Sequence, residues 1–203
     1  MAIHCQLLAT TILYGSVVIN SIIEISTLAV AKSDNSGTCF LFVRDQTSPA
    51  SVLPCNVNIY INGGVSAYAT VMTIYHGYGT LVASRGESHV GRTMWVMPWL
   101  LANSLSMIVV FISSCIYSIG LYVSCTNDTP VLSLTESCSM DNKIFKTMFI
   151  SEICAWLNVF FWICLIVLEA VRLRRNRRAI SREIYQDPNS SDVVNIGVIN
   201  PTA

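Results

Sequence analysis

Four apolar runs, roughly 7–31, 63–84, 94–124 and 147–171, constrain this chain more than any other feature of it. Each reaches the ~20 residues that carry a helix across about 30 Å of hydrocarbon at about 1.5 Å per residue. Inside a bilayer there is no water for a backbone to bond, so its N–H and C=O groups must pair within the segment, and a helix does this. The runs therefore predict an all-α membrane protein, a bundle of four transmembrane helices. Composition agrees. Of 203 residues, 53% are hydrophobic and 12% charged, about half the charged share of a soluble domain, and the mean hydropathy is +0.55. The formal net charge is zero, so no overall field recruits nucleic acid.

The third run exceeds what a crossing needs, which implies tilt or extension beyond the bilayer. Pro98 stands near its start, where a missing N–H costs little. The first run reads as a retained helix. "LAVA" before Lys32 resembles a cleavage site, but "MAIHCQ" carries no basic residues and the run outlasts a signal peptide's apolar stretch of about 7–15 residues.

Orientation follows from "RLRRNRRAISR". Arg172, Arg174, Arg175, Arg177, Arg178 and Arg182 cluster at the end of the fourth run, which the positive-inside rule makes cytoplasmic. Four spans then place both termini in the cytoplasm, with Arg85 and Arg92 in the short inner loop. Residues 32–62 and 125–146 face the exterior or a lumen, in the plasma membrane or a secretory-pathway membrane. The sequon at Asn127 falls in the second outer loop and marks a glycosylation site, with Pro130 close behind it. The match at Asn189 lies in the tail and stays unmodified.

Each outer loop holds two cysteines, Cys39 with Cys55 and Cys125 with Cys138. An oxidising compartment favours disulfides. Pairing within each loop closes a short segment without requiring the loops to meet; cross-loop pairing is the alternative. Cys115, Cys154 and Cys164 lie in spans as small packing residues. Cys5, near the cytoplasmic end of the first span, is a candidate for palmitoylation. In the first outer loop, "CFLFVRD" and "NVNIYI" are β-branched and aromatic and flank the turn-rich "QTSPASVLP", which predicts a β-hairpin stapled at its base. Residues 1–186 form the membrane domain. Residues 187–203 lack periodicity and read as a disordered cytoplasmic tail, with Pro201 where a PDZ ligand would need Ser or Thr.

Three stretches carry a family likeness: "SGTCFLF" (36–42), "FISSCIYSIG" (111–120) with Cys125 following, and "AWLNVFFWICLIVLEAV" (155–171). With the loop order and paired cysteines, they resemble the transmembrane protein 179 family, its B branch most. The resemblance implies a four-span membrane protein with cysteine-bearing outer loops and brings no catalytic residues with it. Claudins and related channel subunits differ by a Trp-containing signature in the first outer loop, since residues 32–62 hold no Trp. Tetraspanins and connexins differ in their loop cysteines.

The spans also carry polar stripes at helical spacing: Ser16, Asn20, Glu24 and Thr27; Ser66, Ala69, Thr73, His76 and Thr80; Asn103, Ser106, Ser113, Tyr117 and Gly120; Ala155, Asn158, Trp162 and Glu169. Small and weakly polar faces let helices approach and bond in lipid, so these should turn inward. Glu24 is the costly member. No Lys or Arg lies inside any span, so Glu24 must be neutral and held by Tyr, Ser or Asn, hydrated, or paired with another protein. Tyr68, Thr70 and Tyr117 should stand near its level. His76 should lie about 10 Å deeper, too far for a direct pair. Glu152 falls near the outer interface, and Glu169 near the inner one should pair with Arg172 at i+3.

Chemistry is sparse. No GxSxG, HExxH, phosphate-binding loop or zinc pattern occurs, and His4, His76 and His89 are dispersed. The chain reads as a non-enzyme without cofactor or metal. Its expected role is an auxiliary or scaffold subunit that associates laterally with another integral membrane protein, such as a channel or receptor. Asn20, Glu24 and His76 are its candidate intramembrane contacts, and the arginine cluster is a candidate for anionic lipid, at about 1 kcal/mol per residue. The alternative is a self-associating pore or transporter that uses Glu24 and His76.

Overall fold

The computed structural model describes residues 2–34, 37, 39, 41, 53–84, 97–126 and 143–186. They form four helices, α1 (Ala2–Asp34), α2 (Leu53–Ser84), α3 (Met97–Thr126) and α4 (Lys143–Gln186). α1 lies between α2 and α4, α3 packs on the other side of α4, and α2 meets α3 only lightly. The bundle is therefore close-packed around α1 and α4 and has a loose seam between α2 and α3.

The packing follows from a seven-residue repeat. In α1 the buried positions run Leu7, Thr10, Tyr14, Val17, Ser21, Glu24, Leu28 and Ala31; in α2, Cys55, Asn58, Asn62, Val65, Ala69, Met72 and His76; in α4, Met148, Ser151, Ala155, Asn158, Trp162, Leu165, Glu169 and Arg172. Steps that alternate between three and four residues keep one seam of each helix facing its neighbours, as in coiled coils and four-helix bundles. The outward positions are apolar, among them Ile12, Ile19, Val71, Ile74, Leu101, Leu105, Phe160 and Val167. The bundle thus mixes polar with apolar side chains within and is apolar without, a distribution that suits lipid.

Three of the four helices, over Cys5–Asp34, Met97–Cys125 and Lys143–Arg178, are long and apolar enough to cross a membrane. α2 is 32 residues long but less apolar, because Asn58, Asn62, His76 and several Gly, Thr and Tyr interrupt it. The four expected helices are present; the four expected spans reduce to three on apolarity.

The β-hairpin is overturned. "NVNIYI" is the second turn and more of α2, which starts at Leu53 rather than 63. β-Propensity mostly reports fit to a half-buried sheet surface, and here the buried seam decides. Cys55, Asn58 and Asn62 fall on it, and the two asparagines each donate to the carbonyl four residues back, Asn58 to Pro54 at 3.0 Å and Asn62 to Asn58 at 3.1 Å. Among the described residues there is no strand. The first loop shrinks accordingly. α1 ends where Gly37, at φ 81°, returns its N–H to the Lys32 carbonyl at 2.9 Å, a conformation that favours glycine. α4 continues to Gln186, well past the expected end at 171; the tail beyond it lies outside the described residues.

Cys39 and Cys55 form a disulfide, which settles the pairing of the first loop's cysteines within that loop. The bridge is buried in a cluster with Leu28, Leu41, Tyr117, Leu121 and Met148. It anchors Cys39 and Leu41 onto the end of the bundle. Cys125 is also disulfide-bonded; Cys138 and the glycosylation site at Asn127 lie outside the described residues.

Candidate functional site: a buried polar column

The seam positions stack polar groups into three layers along the bundle. The first layer is centred on Glu24, which is 3% exposed. Asn62 of α2 donates to its Oε1 at 2.6 Å, and Asn158 of α4 approaches its Oε2 at 3.1 Å and the Ser21 hydroxyl at 3.2 Å. Asn20 donates to the Cys154 carbonyl at 2.6 Å, and Ser151 to the Glu24 carbonyl at 3.4 Å. These contacts tie α1 to α2 and α4. None of Tyr68, Thr70 and Tyr117 bonds the Glu24 carboxylate, though Tyr117 stands at its level with its hydroxyl beside Ser151. Tyr117 donates to the Met148 carbonyl, Thr70 to its own helix at Ser66, and Tyr68 to Asn103. Ser16 and Thr27, expected on the same inward face as Glu24, likewise bond within their own helix.

The second layer is aromatic. Tyr14 and Tyr68 both donate to Asn103 Oδ1, at 2.8 and 2.9 Å. Trp162, fully buried, stacks on Tyr68 at 6.0 Å and meets Tyr14 edge-on at 6.1 Å. Val17, Val65, Ala69, Met72, Val159 and Leu165 complete this cluster. Apart from the asparagine and the tyrosine hydroxyls it is apolar, and it stands between the layers on either side.

The third layer holds His76 of α2 and Glu169 of α4, each 1% exposed, with Nε2 and Oε1 3.7 Å apart. Arg172, one turn on and buried, places its guanidinium 4.0 Å from the other carboxylate oxygen. Tyr14 stacks on the His76 ring and Tyr75 meets it edge-on. The i+3 spacing of Glu169 and Arg172 foretells their pairing; it does not foretell His76, which comes from another helix. Below this layer Thr11 and Thr80 meet at 3.5 Å, and Arg175 donates to Gln6 at 3.1 Å.

The remaining candidates separate by position. Arg174, Arg175, Arg177 and Arg178 are exposed, whereas Arg172 is turned into the bundle; the Arg182 side chain lies outside the described ones. Cys5 is an exposed free thiol, while Cys154 is buried and Cys115 and Cys164 are half-buried. Among the described residues no group of three or more His, Cys, Asp or Glu is placed to hold a metal ion. Sequence reasoning missed Asn62, which it had assigned to a loop. The seven-residue spacing running back from His76 through Asn62 to Cys55 was the signal that α2 begins earlier.

Comparison with known proteins places this architecture. The family model described as "Transmembrane protein 179/179B Claudin domain" matches residues 6–192. "Transmembrane protein 179B" of Danio rerio is 24% identical over 210 aligned residues, covering 94% of this chain and 93% of the relative. No solved structure matches. The missing loop tryptophan, which had set the chain apart from claudins, is thus a departure within a claudin-type domain; one loop residue weighs less than a pattern spanning four helices. The chain belongs to the transmembrane protein 179/179B family, whose domain is of the claudin type.

Proposed function

We propose that this protein is a non-enzymatic tetraspan, with α2 as its fourth span and both termini in the cytoplasm, that serves as an auxiliary or scaffold subunit beside another integral membrane protein such as a channel or receptor. One observation carries the reading. On the outward side of α2, Gly63, Gly64 and Ala67 leave a shallow strip between exposed Tyr60 and Val71, and a Cβ added at either glycine would meet nothing within 4 Å. These glycines serve no close approach inside the bundle. Small residues on a lipid-facing helix admit a second helix at short range. Purification in mild detergent should recover the chain in a hetero-complex, and Gly64→Leu should remove the partner while leaving the melting temperature unchanged. Recovery of the wild type as a lone chain would sink the proposal.

The competing reading, a self-associating pore or transporter through Glu24 and His76, is less well supported. The aromatic and apolar layer around Trp162 separates the two groups, and His76 faces Glu169. A homo-oligomer that conducts ions in liposomes would favour it. On the cytoplasmic side, exposed Arg174, Arg177 and Arg178 continue α4 beyond the apolar run. Their guanidinium groups suit the phosphates of anionic lipid.

A further inference from the structure

Glu152 of α4 is a carboxylate on the flank of the bundle, and it lies deep. Its neighbour Ser151 donates to the Glu24 carbonyl at 3.4 Å. Glu152 therefore stands at the level of Glu24 rather than near the outer interface, where the apolar run had placed it. Charged groups mark the polar boundary at that end of the bundle: Lys143 pairs with Asp34 at 3.0 Å, and Lys32 donates to Asn56 at 2.8 Å. Nine residues separate Lys143 from Glu152, about 13 Å along a helix. A side chain as short as glutamate does not span that distance. Glu24, at the same level, is enclosed and held by two amides. Glu152 is only half-buried, and among the described residues it makes no hydrogen bond and no ion pair.

The carboxylate lines a groove of about 350 Å³ along α4, together with Phe149, Ile153, Trp156 and Leu157. Ile153, Trp156 and Leu157 are exposed. Trp156 is fixed against α3: its indole donates to the Ser118 hydroxyl at 3.1 Å, and its ring meets Phe111 edge-on. One wall of the groove is thus set before anything enters it. A carboxylate open to hydrocarbon is costly and calls for a counter-charge at its own depth. Lipid headgroups stay outside the hydrocarbon core, about 13 Å away. A second copy of this chain has nothing to offer, because residues 2–31, 53–84, 97–126 and 147–171 contain no Lys or Arg. What remains is a helix of a different membrane protein. The lining suits one: aliphatic side chains pack a helix, and aromatic rings beside a carboxylate favour a cation.

We propose that the α4 groove docks a transmembrane helix of another membrane protein through one lysine or arginine that pairs with Glu152. The inference rests on the auxiliary-subunit reading and adds the partner's chemistry to it: a basic residue within a span, about 13 Å from the polar boundary. The contact is separate from the glycine strip, since α2 and α4 pack on different sides of α1.

The test uses the full-length chain in liposomes with synthetic leucine–alanine transmembrane peptides, association being read by energy transfer. One peptide carries a single lysine about 13 Å from the end of its apolar run; the others carry leucine or glutamate there. The lysine peptide should associate about ten-fold or more tightly than the leucine peptide. Glu152→Gln should bring it down to the leucine level without changing the melting temperature, and Glu152→Lys should prefer the glutamate peptide. Equal association of the lysine and leucine peptides with the wild type overturns the site. If Glu152→Gln lowers the melting temperature, Ile153→Trp decides, because it fills the groove and leaves the carboxylate: lost association of the lysine peptide upholds the site, and unchanged association overturns it. The auxiliary-subunit reading fails separately, on recovery of the native protein as a lone chain. A native hetero-complex that survives Glu152→Gln keeps that reading and rejects this site.

Discussion

Arg172 shows how much one buried side chain can carry. It is 8% exposed and lies 4.0 Å from a carboxylate that is 1% exposed. Two charges taken out of water repay their desolvation only together, so removing one costs more than removing both. Arg172→Leu should therefore destabilise the bundle by about 3–5 kcal/mol, and Glu169→Leu with Arg172→Leu should recover most of that loss. Denaturant unfolding of both variants in the same detergent checks the order. His76 completes the layer from α2, and its part was not legible in the sequence. Residues on one helix announce their spacing, whereas residues on different helices meet only through the register of the whole bundle. For the same reason the sequence showed that Glu24 is costly without showing that Asn62 and Asn158 hold it.

At the level of the elements, run length alone gave four helices, because hydrocarbon thickness fixes how long a crossing must be. The start of α2 was hidden. Its first turns are β-branched, and they become helical because the buried seam continues through Asn58 to Cys55. The disulfide there closes a separation of 16 residues, for which chain entropy alone gives about 3 kcal/mol. Cys39→Ser should lower stability by about 2–5 kcal/mol and reduce the amount reaching the cell surface. Peptide mapping without reductant should return Cys39 joined to Cys55, and Cys125 joined to Cys138; a peptide joining Cys125 to either first-loop cysteine would reject the within-loop scheme.

The molecule as a whole has one asymmetry of charge, the arginines at the end of α4. They set the expected topology. A tag placed after Ala203 should resist protease in intact cells, while one inserted within residues 42–50 should be cut; the reverse result would invert the protein in its membrane. The same whole also has an order of assembly. α1 is central, packed on α2 on one side and on α4 on the other. α2 emerges soon after it during synthesis, but α4 is made last. Until then Asn20 and Glu24 lack the Cys154 carbonyl and the Asn158 amide that meet them in the finished bundle. A nascent chain halted after α3 thus keeps the Asn62 bond to Glu24 but lacks the partners of its second carboxylate oxygen and of the Asn20 amide. Only the last helix supplies those partners, so α1 is fully bonded along its buried face once α4 is in place.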